Sequence, residues 1–315
     1  MTLPMGRPMR EIFGETVAAI ADHDPRVVML DGDVGSSTRA DIFEKAHPER
    51  YLQMGIAEQN MLGVAAGLAT MGLIPFISTF VSFAVVRPLD QVRVLIAQTG
   101  ANVKITPGYA GLFTGQTGMS HIIVDDLTIM RAMPGMVTVA PADDVEAAQV
   151  LRWAAAYEGP CYVRLVRDAT QRLFDDDTYH FVFGKAVVVR EGRDVTLIST
   201  GTQTPRTVDA AELLAVDGIE AHVLHVPTLK PIDVPAIVAA AERTGRVITV
   251  EEHSVIGGLG GAVAEVLSEH RPTRVNRIGL QDVYVQSGTN DALLDIYGLS
   301  ASRVAEQVRA LVGAG

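Results

Sequence analysis

Short apolar runs alternate with stretches of helical period along nearly the whole chain. Val27–Asp31, Ile74–Thr79, Val103–Thr106, Met136–Ala140 and Cys161–Val166 are runs of the length and composition of strands buried on both faces. Between them, Asn60–Met71 places Leu62, Ala65, Ala66 and Ala69 at helical spacing, and Phe83–Thr99 does the same with Val86, Leu89, Val92 and Ile96. Asp143–Tyr157 is a third helix and opens on two acids, which suit a helix N-terminus. The rhythm breaks at 171–184, where Asp175, Asp176 and Asp177 follow one another. Like charges in a block repel and stay solvated, so this segment reads as a linker. The alternation then resumes, with strands at Ala186–Arg190, Val195–Thr200, Ala221–Val226, Val247–Glu251 and Arg274–Ile278. Helices are expected at Pro205–Val216, Val234–Thr244, Gly260–His270 and Ala301–Leu311. The pattern predicts an α/β protein of two domains, 1–170 and 185–315, each built on a mainly parallel sheet.

Composition narrows the class. The chain has 315 residues, 48% of them apolar and 20% charged, enough to bury a large core. Its net charge of −11 gives no general attraction for phosphate backbones or anionic lipid, so neither nucleic acid nor a membrane surface is the expected partner. Cys161 is the single cysteine, which excludes an intramolecular disulfide and a thiolate metal cluster within one chain. No signal peptide is evident before Phe13, so a cytoplasmic location is expected. Gln59–Val86 carries no charge and is long enough for a bilayer, for which about 20 residues suffice. Gly63, Gly67, Gly72 and Pro75 interrupt it, and a helix, a turn and a buried strand account for it better.

Two motifs have plainer explanations. Gly257-Gly258-Leu259-Gly260-Gly261 follows a strand and opens a helix, as a phosphate loop would, but its spacing fits no dinucleotide or Walker pattern. Close strand–helix packing is the expected use. Asp31-Gly32-Asp33 ahead of Asn60 has roughly the spacing of a diphosphate–magnesium motif, yet Val34 stands where a glycine is needed.

The informative run is Met54-Gly55-Ile56-Ala57-Glu58-Gln59-Asn60-Met61. Glu58 is a lone carboxylate opening an uncharged, glycine-rich helix. It either complements the helix dipole or, with nothing cationic between it and Arg87 in sequence, sits in a dry site where it can share a proton with a ligand nitrogen. Together with Ser78-Thr79-Phe80, Asp90-Gln91-Val92-Arg93, Gly118-Met119-Ser120-His121, Leu229-Lys230-Pro231-Ile232-Asp233, Glu251-Glu252-His253 and Gln286-Ser287-Gly288, this run resembles the C-terminal half of transketolases and of 1-deoxyxylulose-5-phosphate synthase. The likeness covers nearly the whole chain in order.

That resemblance implies a thiamine-diphosphate pyrimidine-binding domain over 1–170 and a smaller transketolase C-terminal-like domain over 185–315. It implies that Glu58 bonds the aminopyrimidine and favours the tautomer that deprotonates the thiazolium. Ile56, Phe80 and Phe83 would line the cofactor pocket, with the two rings as a stacking platform. His121 would bond the substrate near the reacting carbonyl. Ser37, Tyr109, Thr117 and Arg167 would contact the sugar, and Arg167, with Arg164 as a second candidate, would take a phosphate.

Three positions depart from the family pattern. Thr117 replaces an aspartate that reads a sugar hydroxyl, Tyr109 replaces a second substrate histidine, and Val86 replaces an aromatic. A modified or differently configured ketose is therefore expected. The diphosphate and Mg²⁺ domain is missing from this sequence. A split enzyme follows, with an N-terminal transketolase subunit supplying that domain in a heterotetramer of two chains of each kind. The expected activity is transfer of a two-carbon ketol unit from a ketose to an aldehyde. The β subunit of a 2-oxoacid dehydrogenase decarboxylase component, or a partner subunit without turnover, remains as an alternative.

Overall fold

The computed structural model describes residues 3–313. The first domain runs β1 (Met5–Pro8), α1 (Met9–Ala21), β2 (Val27–Asp31), α2 (Gly35–Thr38), α3 (Asp41–Ala46), β3 (Tyr51–Gln53), α4 (Glu58–Thr70), β4 (Ile74–Ser78), α5 (Val81–Val85), α6 (Leu89–Gln91), β5 (Lys104–Ile105), α7 (Asp126–Ala132), β6 (Val137–Val139), α8 (Asp144–Ala156), β7 (Cys161–Val163) and β8 (Ala169–Gln171). The second runs β9 (Val187–Arg190), β10 (Val195–Ser199), α9 (Gln203–Val216), β11 (Ala221–His225), β12 (Thr228–Lys230), α10 (Val234–Thr244), β13 (Val247–Ser254), α11 (Leu259–His270), β14 (Val275–Leu280), α12 (Asn290–Ile296) and α13 (Ala301–Gly313). Each run the pattern marked holds a strand, and β13 and β14 continue past the expected ends at Glu251 and Ile278.

The larger sheet has the order β12-β6-β7-β5-β4-β2-β3 and is parallel except at β12. That strand comes from the second domain and pairs Thr228 with Val139, so the second domain closes an edge of the first domain's sheet. The second sheet, β14-β13-β10-β11-β9, is parallel except for β9. β1 and β8 form a separate antiparallel pair that brings Met5 beside Gln171.

Two features depart from the pattern. α1 has no counterpart among the elements expected from sequence, although Met9, Ile12, Phe13, Val17 and Ala21 stand at helical spacing and are all buried. The helix expected over Phe83–Thr99 is broken into α5, a turn at 86–88, α6 and a wide π-type turn over Val92–Ala97. Pro88 explains the break, since it lacks an N–H and disfavours helical geometry at Arg87. α8 forms as expected: Asp143 caps Glu146 N at 2.9 Å, and the Glu146 carboxylate accepts from Ala142 N at 2.7 Å.

Candidate functional site

The strands β2 and β4 run side by side and end at the same edge of the larger sheet, where parallel α/β proteins place their ligand sites. α4 begins there at Glu58, after a turn that needs Gly55 at φ +70°. Glu58 is only 5% exposed. β4 leads through Thr79 to Phe80 and then to Phe83 on α5. The Phe80 and Phe83 rings lie 5.6 Å apart, and His121 lies 5.8 and 5.1 Å from them. Arg87 ties the group together: Nη1 donates to Glu58 Oε1 at 2.8 Å, and the guanidinium sits 3.9 Å from the Phe83 ring centre. The expectation that Glu58 stands away from cations is thus overturned. The break at Pro88 turns Arg87 back over the start of α4, a contact that sequence distance hides. Ile56 is 74% exposed on the turn before Glu58, and Val86 is exposed as well. Flanking Phe80, the hydroxyls of Thr79 and Ser82 are buried without a partner among the described residues.

Phe80 also lines a cavity of about 780 Å³ shared with Ser37, Tyr109, Thr117 and Arg167. The structure therefore brings the four expected sugar contacts together, with Glu58, Phe83 and His121 outside the cavity lining. Tyr109 stacks on Phe80 with centres 3.9 Å apart. Its hydroxyl donates to the Ser37 carbonyl at 3.3 Å and accepts from Arg167 Nε at 3.1 Å. Tyr109 holds φ +70°, a strained backbone for a bulky residue and one that clusters at functional sites. Thr117 ends a 3₁₀ turn over Gly111–Thr117 and donates to the Thr114 carbonyl at 2.6 Å. Asp31 shapes the turn that carries Ser37. Fully buried, it accepts from Val34 N, Gly35 N and the Ser78 hydroxyl at 3.0, 3.1 and 2.8 Å.

Arg164 is not in this cavity. It is buried, with Nε 2.8 Å from Asp126 Oδ2, and Tyr162 donates to the same oxygen at 2.6 Å. Burial pushes the Asp126 carboxyl up, but Arg164, His253 and Tyr162 together hold it below its ordinary value. The phosphate contact considered from sequence for Arg164 is instead a buried ion pair under the domain interface. The glycine run near 258 takes no phosphate either. Glu251 fills that helix N-terminus, accepting from Leu259 N at 2.7 Å and Gly260 N at 2.8 Å, and burial pushes its carboxyl up to about 7. A Cβ on Gly258 would fall 2.1 Å from Glu251 Oε2, so the glycine serves close packing.

Four residues near the site were missed in the sequence. Arg10 Nη1 reaches the Ser37 carbonyl at 3.5 Å, and its buried Nε has no partner among the described residues. Arg87 is the second. Asp168 and Asn290, which also line the cavity, are the others, and Asn290 comes from the second domain. Arg10, Arg87 and Asn290 act through tertiary contacts with no short-range signature, whereas Asp168 pairs with its sequence neighbour Arg167.

The family model described as the transketolase pyrimidine-binding domain matches residues 6–172, and that of the transketolase C-terminal domain matches 184–304. A 6-deoxy-6-sulfo-D-fructose transketolase subunit, SqwH, from Clostridium is 40% identical over 94% of this chain and 92% of its own. One of the apulose-4-phosphate transketolase subunits of Phocaeicola vulgatus is 38% identical over 92% and 93%. A solved structure described as a split gene transketolase, inactive beta4 tetramer, is 42% identical, superposes with a TM-score of 0.89, and is covered over 99% of its length by 98% of this chain. The residues at the sheet edge, the two consecutive domain matches and these relatives agree: the chain belongs to the transketolase family and carries its pyrimidine-binding and C-terminal domains.

Proposed function

We propose that this chain is one subunit of a two-chain, thiamine-diphosphate-dependent transketolase, active only with a partner that supplies the diphosphate and Mg²⁺ site. The observation that carries this reading is the placement of Phe80. One group around it is Glu58, Phe83 and His121, and the other is a cavity containing Ser37, Tyr109, Thr117 and Arg167. A cofactor ring and a sugar need such adjacent sites. The fit to the aminopyrimidine rests on a nearly buried carboxyl, two aromatic rings and the unpartnered hydroxyls of Thr79 and Ser82. Among the described residues no group of three or more His, Cys, Asp or Glu is arranged for a metal. The Mg²⁺ ligands are assigned to the partner on the strength of the family resemblance.

When bound, the cofactor supplies a carbon nucleophile and an electron sink for the two-carbon unit. Glu58 would hold the ring by sharing a proton with one of its nitrogens. Phe80 and Phe83 offer stacking surface, and Ile56 would cover the ring from the turn before α4. Arg87 must yield its bond to Glu58 when the ring enters. His121 bonds the donor carbonyl and passes protons to it. Ser37, Tyr109, Thr117 and Arg167 hold the rest of the ketose, and the aldehyde acceptor enters the same cavity. The relatives named for modified ketoses and called subunits support both the unusual substrate and the partner chain.

The test is to mix the chain with a subunit carrying the diphosphate domain and assay a panel of ketoses with an aldehyde acceptor. Two-carbon transfer is expected. Pyruvate decarboxylation without any ketol transfer would contradict the reading. Thr117 yields a further expectation. A carboxylate there would accept a charge-assisted bond from a donor hydroxyl, so Thr117→Asp should shift kcat/KM toward xylulose-5-phosphate-like donors by roughly ten- to hundredfold. Wild-type turnover of that donor at a rate the Asp variant does not improve would remove Thr117 from substrate reading.

No helix among the described residues is long and apolar enough to cross a membrane.

A further inference from the structure

The second domain has a crevice of the kind that takes ligands, and a turn of the first domain fills it. In its sheet β11 lies on one side of β10, while β13 and then β14 lie on the other, so the strand order reverses between β10 and β13. Open α/β sheets bind ligands outside the carboxyl ends of the strands at such a point. The Glu251-Glu252-His253 run lies near the carboxyl end of β13, and β10 leads through Gly201, at φ +56°, to the start of α9. Glu251 is used at the start of α11, whereas Glu252 faces the first domain. It is 2% exposed. Its Oε2 accepts from Arg206 Nη2 at 2.6 Å and from the Thr202 hydroxyl at 3.3 Å, both within the second domain. Its Oε1 accepts from Leu112 N of the first domain at 2.7 Å.

Leu112 belongs to the turn Gly111–Thr117, which follows Tyr109 by two residues and ends on Thr117. Phe113, Thr114, Gln116 and Thr117 of this turn line the cavity. Phe113 and Thr114 depart from helical geometry, so the turn is not held by a regular repeat of its own. Among the described residues, the hydrogen bonds that leave it run to the second domain: Leu112 N to Glu252, Gly115 N to Asn290 Oδ1 at 3.2 Å, and Gly288 N to the Gly115 carbonyl at 3.0 Å. The Arg206 guanidinium lies 4.9 Å from the Phe113 ring centre. The approach at Glu252 is close. Gly111 stands at φ +61°, and a Cβ there would fall 2.2 Å from Glu252 Oε1. A carboxylate buried this deeply is stable only where its oxygens are matched, and the match for one of them is the N–H of the turn.

We propose that Glu252 is a positioning residue for the substrate: from the second domain it sets the turn that carries Thr117 and follows Tyr109, and so fixes the wall against which the ketose binds. This rests on the assignment of the cavity as the sugar site. Glutamine cannot replace it, because Leu112 N and Arg206 Nη2 are both donors and an amide offers one acceptor and one donor. One of the two bonds is lost in Glu252→Gln and the turn loosens. Glu58 and Phe83, carried by α4 and α5, keep their places.

The experiment measures amide hydrogen exchange over 109–118 and steady-state kinetics of the assembled pair, for wild type, Glu252→Gln and Gly111→Ala. Gly111→Ala disturbs the same contact from the other side and leaves Glu252 and Arg206 in place, so it decides the matter if Glu252→Gln fails to fold. Exchange over 109–118 and KM for the ketose donor are each expected to rise about tenfold in both variants, the equivalent of one charge-assisted hydrogen bond. Exchange in β10 and β13, kcat and the calorimetric affinity for thiamine diphosphate should stay nearly unchanged. Unaltered exchange in the turn overturns the proposal, and so does raised exchange with an unaltered KM. A parallel loss of cofactor affinity, kcat and substrate affinity, with exchange raised throughout the molecule, overturns it too, since that is a general loss of packing. If the wild-type pair turns over no ketose, the transferase reading fails, and the exchange data with ketose binding by ligand-detected NMR decide the positioning role.

Discussion

Replacing Glu58 with Gln is expected to lower turnover of the assembled enzyme by roughly 10²–10⁴-fold, the usual cost of losing a positioned proton-transfer group. The fold should survive. Gln retains an oxygen that accepts the Arg87 bond, and Arg87 is about half exposed, so the loss of charge pairing there is worth at most about 1 kcal/mol. The sharper readout is exchange of the C2 proton of bound cofactor with solvent deuterium, which reports the step proposed for Glu58. Exchange in Glu58→Gln at close to the wild-type rate would show that the carboxyl does not act on the cofactor and would leave it a helix-terminal acid.

The largest expected effect on stability lies away from the cavity. Arg164→Ala strips the partner from the fully buried Asp126 and leaves Tyr162 as its one remaining hydrogen-bond donor among the described residues. Removing one member of a buried pair typically costs about 3–5 kcal/mol, because the remaining charge stays desolvated. Denaturant unfolding should show that loss in the midpoint. The double replacement Arg164→Met with Asp126→Leu should recover part of it, since no unpaired charge remains, while the buried Tyr162 hydroxyl loses its acceptor. A single-variant loss below about 1 kcal/mol would mean that water or rearrangement reaches Asp126. The acid side follows from the same pair. The folded Asp126 titrates below its ordinary value of 3.8, so the pair's contribution is complete above that value and is lost as pH falls through the lower, folded one.

What the sequence disclosed, it disclosed through periodicity and local runs. Buried strands such as Val27–Asp31 are apolar throughout, so they stand out, and Glu58 stands out because no other charge shares its helix. Phe80, Tyr109, Thr117 and His121 were reached through a resemblance carried by short motifs. Contacts made across the fold left no such trace. Arg87 approaches Glu58 only because Pro88 breaks a stretch whose apolar spacing alone predicts one helix. Arg164 and Arg167 stand three residues apart in sequence, yet one is buried against Asp126 and the other opens on the cavity. β12 has a strand's residues but is too short to be separated from the surrounding loop by pattern. Asn290 joins the site through the docking of one domain on another, which no periodicity encodes.

The central claim, that this chain holds half of a cofactor site, is tested most directly by calorimetry. Thiamine diphosphate with Mg²⁺ is titrated into the chain alone, and then into the chain mixed with a subunit that carries the diphosphate domain. Little binding by the chain alone and tight, Mg²⁺-dependent binding by the mixture are expected, because the pyrimidine pocket contributes only part of the contacts. Micromolar binding by the isolated chain, or no gain on mixing, would contradict the account.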